Sequence, residues 1–158
     1  MAKFRYKMQN ILNVKEKLED QAKNEFSLAV AERNEEQEKL EKLLIKQSGY
    51  EARLKELSLG ALDFHEIRTC KEAINTMKRL IRDQMIRLSK AERKVELQRQ
   101  KLNLAQQERK THDKLKEKAF EVFLDELNKE EMKQIDELTS FKYGMNDGKP
   151  DEETEDDQ

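Results

Sequence analysis

Apolar residues recur every three and four positions along most of this chain, the spacing of a helix that buries one narrow stripe against another helix. Steps of seven give one row, Met8, Lys15, Ala22, Ala29, Glu36, Leu43, Tyr50 and Leu57, and a second, Phe26, Arg33, Leu40, Gln47 and Leu54. An earlier row of Phe4, Ile11 and Leu18 joins these by one extra residue, which predicts a local change in winding. The pattern stops once, in LKELSLGALDFHEI from Leu54 to Ile67. Gly60 suits the left-handed backbone that ends many helices. Asp63 can cap the next helix, with Glu66 returning the bond and Leu62 packing on Ile67. Beyond it Ile67, Ile74, Ile81, Leu88, Val95, Leu102 and Arg109 form one row, and Cys70, Met77, Gln84, Ala91, Gln98, Ala105 and His112 the other. The periodicity thus predicts helices over 4–59 and 63–142 joined by a turn at 60–62.

If the chain folds back at Gly60, facing residues have numbers that sum to a constant, and 121 brings like to like. Leu54 meets Ile67, Leu40 meets Ile81, Phe26 meets Val95 and Leu18 meets Leu102. Small Ala29 falls near Ala91 and polar Glu36 near Gln84, so volume and polarity are matched along the length. Towards the open end Ile11 faces Arg109 and Met8 faces His112, and the seam is expected to weaken. The fold class is therefore all-α, a long two-helix antiparallel coiled-coil hairpin over residues 1–143. At about 1.5 Å per residue the first arm reaches roughly 84 Å and the second roughly 120 Å. The overhang carries Phe120, Phe123, Leu124, Leu127, Ile135, Leu138 and Phe141, an apolar stripe for which the first helix has no residues left, and hence a candidate docking surface.

Composition agrees with an elongated all-α chain. Charged residues make up 42% and hydrophobic residues 35%, too little apolar material for a thick core. All but Gly49 and Gly60 of the glycines, and the one proline, follow residue 143, so the turn chemistry of a sheet is missing. Residues 144–158 hold seven acids against Lys149 and read as a disordered acidic tail. Within the body, residues 68–101 carry eleven Lys or Arg against four acids, which suggests either an anionic partner or a solvated face. No apolar run nears the ~18 residues of a membrane span and no cleavable leader is apparent, so a cytoplasmic protein is expected. The single Cys70 cannot form an internal disulfide and reads as a small apolar seam residue.

Catalysis needs convergent groups, and few are offered. His65 and His112 lie far apart, and no HxxxH, CxxC or glycine-rich phosphate loop occurs. No catalytic residue, cofactor or metal ligand is assigned, and a two-helix hairpin supplies no pocket that excludes water.

The opening KFRYKMQNILNVKEKLEDQAKNEF and the closing KEEMKQIDEL, on a chain of this length, resemble the FliJ family of flagellar export proteins. The aromatic-Arg-aromatic start and the late Glu-Met-Lys followed by Ile135, Asp136 and Glu137 are its more specific parts. The resemblance implies a non-enzymatic component of the flagellar type III export machine, shaped like the stalk of a rotary ATPase. It implies binding to the export ATPase ring FliI, contact with the export gate FlhA, through which the protein is peripheral to the inner membrane, and handling of export chaperones. Aligning AINTMKRLIRDQ with the family puts the gate-binding positions at Ala73, Met77, Leu80 and Gln84. The residues expected to meet the ring are those of the open end: Phe4, Arg5, Lys7 and Met8 on the first arm, and Lys118, Glu131 and Asp136 on the second.

Two rival readings use other features. A nucleic-acid binder would use the basic stretch, without any known reading motif, so no nucleic-acid partner is assigned. A holdase chaperone would use the apolar overhang.

Overall fold

The computed structural model describes residues 2–148, and most of the expected acidic tail, residues 149–158, lies outside the described residues. Two helices account for nearly all of them: α1, Gln9–Leu57, and α2, Phe64–Asn146. No strand occurs among the described residues. The chain divides into two units, one made of Asn13–Lys110 and the other of the residues up to Leu12 with those from Thr111 onward.

In the first of these units α1 and α2 run antiparallel, and burial follows the heptad. On α2 the two rows that the sequence predicts, Ile67, Cys70, Ile74, Met77, Ile81, Gln84, Leu88, Ala91, Val95, Gln98, Leu102, Ala105 and Arg109, are covered, with Ala73, Leu80, Ser89 and Gln106 half-buried beside them. On α1 the same alternation of three and four runs from Leu12 through Lys15, Glu19, Ala22, Phe26, Ala29, Arg33, Glu36, Leu40, Leu43 and Gln47 to Leu54 and Leu57, with Tyr50 alone of the row exposed. The change in winding expected at Phe4, Ile11 and Leu18 does not occur. Ile11 and Leu18 stand 42% and 45% exposed, whereas Glu19 is 4% exposed. An acid occupies the position where a reading by hydropathy looks for a leucine.

Cross-helix bonds fix the register. Gln84 Nε2 donates to the Glu36 backbone oxygen at 2.9 Å and also to the Glu36 carboxylate, and the Cys70 thiol lies 3.5 Å from the Tyr50 oxygen. Both pairs sum to 120, one from the expected constant. Longer side chains meet at larger sums: Lys15 with Glu108 at 2.9 Å, Glu32 with Lys94 at 2.8 Å, and Glu19 with Arg109. Every helical side chain leans towards its own N-terminus, so in an antiparallel pair long partners lean towards each other across several residues. For this reason Arg109 pairs with Glu19 and not with Ile11, and Leu18, off the seam, does not take up the place expected opposite Leu102.

The turn uses different chemistry on its two sides. Asp63 Oδ1 accepts from the backbone amides of His65 at 3.0 Å and Glu66 at 3.4 Å, the expected N-cap. Leu62 remains largely exposed, so the staple to Ile67 covers little of it. At the end of α1, Gly60 does not adopt the left-handed backbone. The helix stops earlier by tightening: Ser58 N reaches Lys55 O at 3.3 Å, Leu59 N reaches Glu56 O at 3.1 Å, and Ser58 Oγ donates to Leu54 O at 2.8 Å.

In the second unit, residues 2–8 are not helical, so α1 starts five residues later than the periodicity predicts. Within KFRYK, Phe4 and Tyr6 are half-buried and Lys3, Arg5 and Lys7 exposed, the period of two that belongs to extended chain. The extended path brings Phe4 against α2, its ring 5.2 Å from Phe120 and 5.4 Å from Phe123. The first ring pair meets edge to face, the arrangement that the aromatic quadrupole favours. Part of the stripe expected to lack a partner is thus covered from within the chain. Farther along, Met132, Ile135, Leu138 and Phe141 are exposed, and α2 continues past residue 142 to Asn146.

Two outcomes follow from the seam. Leu40→Asp places a carboxylate opposite Ile81, between the Glu36–Gln84 and Tyr50–Cys70 pairs, and is expected to cost about 3 kcal/mol. Melting followed by circular dichroism reads it, and an unchanged curve contradicts the register. For Glu19, burial would raise the carboxyl, but the bonds from Arg109 and Lys23 outweigh it and hold the group below the ordinary value of 4.5. Because the folded value is the lower one, this stabilisation is complete above the ordinary carboxylate range and is lost as pH falls through the folded value. Glu19→Gln should therefore flatten the acid limb of a urea-stability profile below about pH 5, and an unchanged slope would rule the pair out as a source of stability.

Candidate functional site

The seven residues expected at the open end do not all come together. Phe4, Arg5, Lys7, Met8 and Lys118 line one open groove of about 870 Å3, between the extended N-terminal segment and α2. Its floor is apolar, from Phe4, Met8, Ala119, Val122 and Phe123. Its rim is cationic, with Lys3, Arg5, Lys7 and Lys118 against a single acid, Glu126. Glu131 and Asp136 are exposed and lie outside it; Asp136 borders a shallow hollow along α2 with Phe141 and Met145.

Local sequence explains the groove. The alternation over residues 3–7 sends Arg5 and Lys7 outward while Phe4 and Tyr6 turn inward. On α2 Val122 and Phe123 lie three and four residues after Ala119, and Glu126 four and three residues after them, so the four share a face. Ala119, Val122 and Glu126 belong to no residue set that the sequence singles out, although their spacing carries the signal. The groove can accept an apolar side chain flanked by carboxylates. It has no catalytic grouping, and among the described residues no cluster of His, Cys, Asp and Glu could hold a metal ion.

The four positions on the early part of α2 divide in two. Gln84 is 5% exposed and engaged with Glu36, whose carboxyl is held below its ordinary value chiefly by that bond. Met77 is half-buried at a seam position. Ala73 and Leu80 are half-buried beside the seam, seven residues apart and on one flank. Ala73 borders a shallow hollow with Tyr50, Arg53 and Thr69, and Leu80 another with Lys39, Leu43 and Arg87. Ala73, Leu80 and the edge of Met77 are thus open to solvent, while Gln84 serves the seam.

No helix among the described residues is long and apolar enough to cross a membrane. Compared with known families, residues 4–148 match the model described as "FliJ: Flagellar FliJ protein". Searches of curated proteins and of solved structures returned no match.

The groove depends on Phe4 holding the N-terminal segment in place. Phe4→Ala removes ring contacts worth about 1.5 kcal/mol, roughly a tenfold rise in the undocked fraction. Trypsin should then cut after Arg5 and Lys7 about tenfold faster, with Phe120→Ala giving the same result from the other side. Unchanged cleavage would show that the rings do not hold the segment.

Proposed function

The chain belongs to the FliJ family and is a component of the flagellar protein-export apparatus without enzymatic activity of its own, and on that premise we propose that it joins the export ATPase ring to the export gate. The family match over residues 4–148 supports the class of function, and the groove beside Phe4 supports the choice of surface. In this reading the ring offers an apolar side chain flanked by acids. That side chain enters between Phe4, Met8 and Phe123, and the acids meet Arg5, Lys7 and Lys118. Binding favours the assembled form of the ring and so raises its turnover, since a ligand shifts an equilibrium by its differential affinity for the two states. The gate meets the flank of α2 that carries Ala73 and Leu80, with Met77 at its edge.

A second activity in the same apparatus draws on a different observation. Met132, Ile135, Leu138 and Phe141 stand exposed late in α2, and such a stripe suits the escort of export chaperones or of their unfolded cargo.

The two main contacts involve different units of the chain and share no residue, so their energies should separate. Arg5→Glu with Lys7→Glu reverses the groove rim and should abolish stimulation of phosphate release by the ring while gate binding stays normal. Met77→Ala with Leu80→Ala should do the reverse, truncation of apolar anchors costing about 1–2 kcal/mol each. Each double variant is measured against each partner once its helicity is confirmed. Loss of both partners in both folded variants would replace two contacts by one shared surface.

A further inference from the structure

Arg79, Arg82, Ile86, Lys90, Arg93 and Leu97 follow one another on α2 at steps of three and four. At about 100° per residue they fall within an arc of about 80°, on the side turned away from the seam. All six are exposed, Ile86 at 56% and Leu97 at 51%. Some cations elsewhere in the same unit are engaged, Lys15 with Glu108, Lys23 with Glu19, Lys39 with Glu35 and Glu36, Lys94 with Glu32, Arg99 with Glu96 and Arg109 with Glu19, whereas others such as Lys17, Lys42, Lys46 and Lys71 are not. Among the described residues none of Arg79, Arg82, Lys90 or Arg93 takes part in an ion pair. Asp83 is the one acid between Arg79 and Lys90. Four exposed cations thus share one line with two aliphatic side chains that the two helices leave uncovered.

We infer that this face binds directly to a bilayer surface bearing anionic phospholipid headgroups. The seam fixes α2 from behind, so the line of six is held ready for a planar surface and nothing need be ordered to present it. Guanidinium and ammonium groups pair with headgroup phosphates while their stems, with Ile86 and Leu97, reach the boundary of the acyl region. Each cation near such a surface strengthens binding about fivefold, four together on the order of several hundredfold. The other anionic partners fit less well. Nucleic acid would find no aromatic ring in the arc on which to stack a base and would make no use of Ile86 or Leu97. An acidic helix needs apolar anchors at successive turns, and here two stand three turns apart. The inference does not rest on the ring and gate contacts, and its variants leave Ala73, Met77 and Leu80 untouched.

The full chain is floated with vesicles of phosphatidylcholine alone and with vesicles of phosphatidylcholine and phosphatidylglycerol in equal parts, at low and high salt. Binding is expected only to the anionic vesicles and should weaken with salt. Arg79→Gln, Arg82→Gln, Lys90→Gln and Arg93→Gln combined should lower vesicle affinity by on the order of a hundredfold or more. A charge-matched control, Lys17→Gln, Lys42→Gln, Lys46→Gln and Lys71→Gln, should retain most of it. Ile86→Ser with Leu97→Ser should lose vesicle affinity severalfold while binding to short duplex DNA does not change. Circular dichroism confirms that each variant is helical. The inference is overturned by absence of binding to anionic vesicles, by equal binding to neutral ones, or by equal loss in the charge-matched control. It is equally overturned if Ile86→Ser with Leu97→Ser keeps full vesicle affinity, since the face would then be an unspecific polyanion site.

Discussion

Everything in the Asn13–Lys110 unit depends on a seam one residue wide that must be filled at every step along two helices. Two helices have no third layer behind them, so each position is satisfied by its cross-helix neighbour or by water. Two of the polar seam residues of α2 meet this demand in matched pairs, whereas Arg33 Nε and Gln98 Oε1 stay buried without a hydrogen-bond partner. Gln84 meets Glu36, and Arg109 meets Glu19. A purely apolar heptad would tolerate a slip of seven residues, because leucine would still meet leucine. The same slip would bring Gln84 to Leu43 and Glu36 to Ala91, burying an amide and a carboxylate without partners. Two imperfectly dry pairs thus act against misregister, at the expense of the burial that leucines would have given.

The N-terminal segment obeys a different constraint. Residues 2–6 make no helix and gain order through the rings of Phe4 and Tyr6 turned inward by alternation, before Lys7 and Met8 turn into α1 with Gln9 N donating to Tyr6 O. That arrangement leaves Arg5 and Lys7 pointing outward at fixed positions, which a continuous helix would have scattered around its circumference. The groove exists because the helix begins late, and the chemistry on its rim follows from the alternation.

Much of this architecture was legible because a seven-residue repeat is a direct statement about which face is buried. The α2 rows, the cap at Asp63 and the pairing of Glu36 with Gln84 all emerge from spacing and from matching unlike residues. The misreading of the first arm's seam has one physical cause, a preference for apolar character over continuity of register. Ile11 and Leu18 are apolar and exposed, and Glu19 is acidic and buried, because Arg109 leans from the opposite helix to meet it. Gly60 advertises a left-handed helix end, yet Ser58 closes the last turn before the chain reaches it. The groove was half legible: Phe4, Arg5, Lys7, Met8 and Lys118 converge, but Glu131 and Asp136 were grouped with them by position in the sequence, not by face.

A seam this narrow also limits where partners can be read in the Asn13–Lys110 unit. Residues at the two inner positions of each heptad are consumed by the fold, so whatever the hairpin recognises must be met on its flanks or its back. Ala73 and Leu80 stand seven apart on a flank, whereas Arg79, Arg82, Ile86, Lys90, Arg93 and Leu97 stand on the back. These sets occupy overlapping lengths of α2 yet point in different directions, so one helix offers two surfaces of unlike chemistry, one small and apolar, the other cationic. Mutations confined to either set leave the seam, and therefore the register that positions the other, intact. Gln84 is the exception: its amide is spent on Glu36, and changing it disturbs both surfaces through the register before it can inform on either.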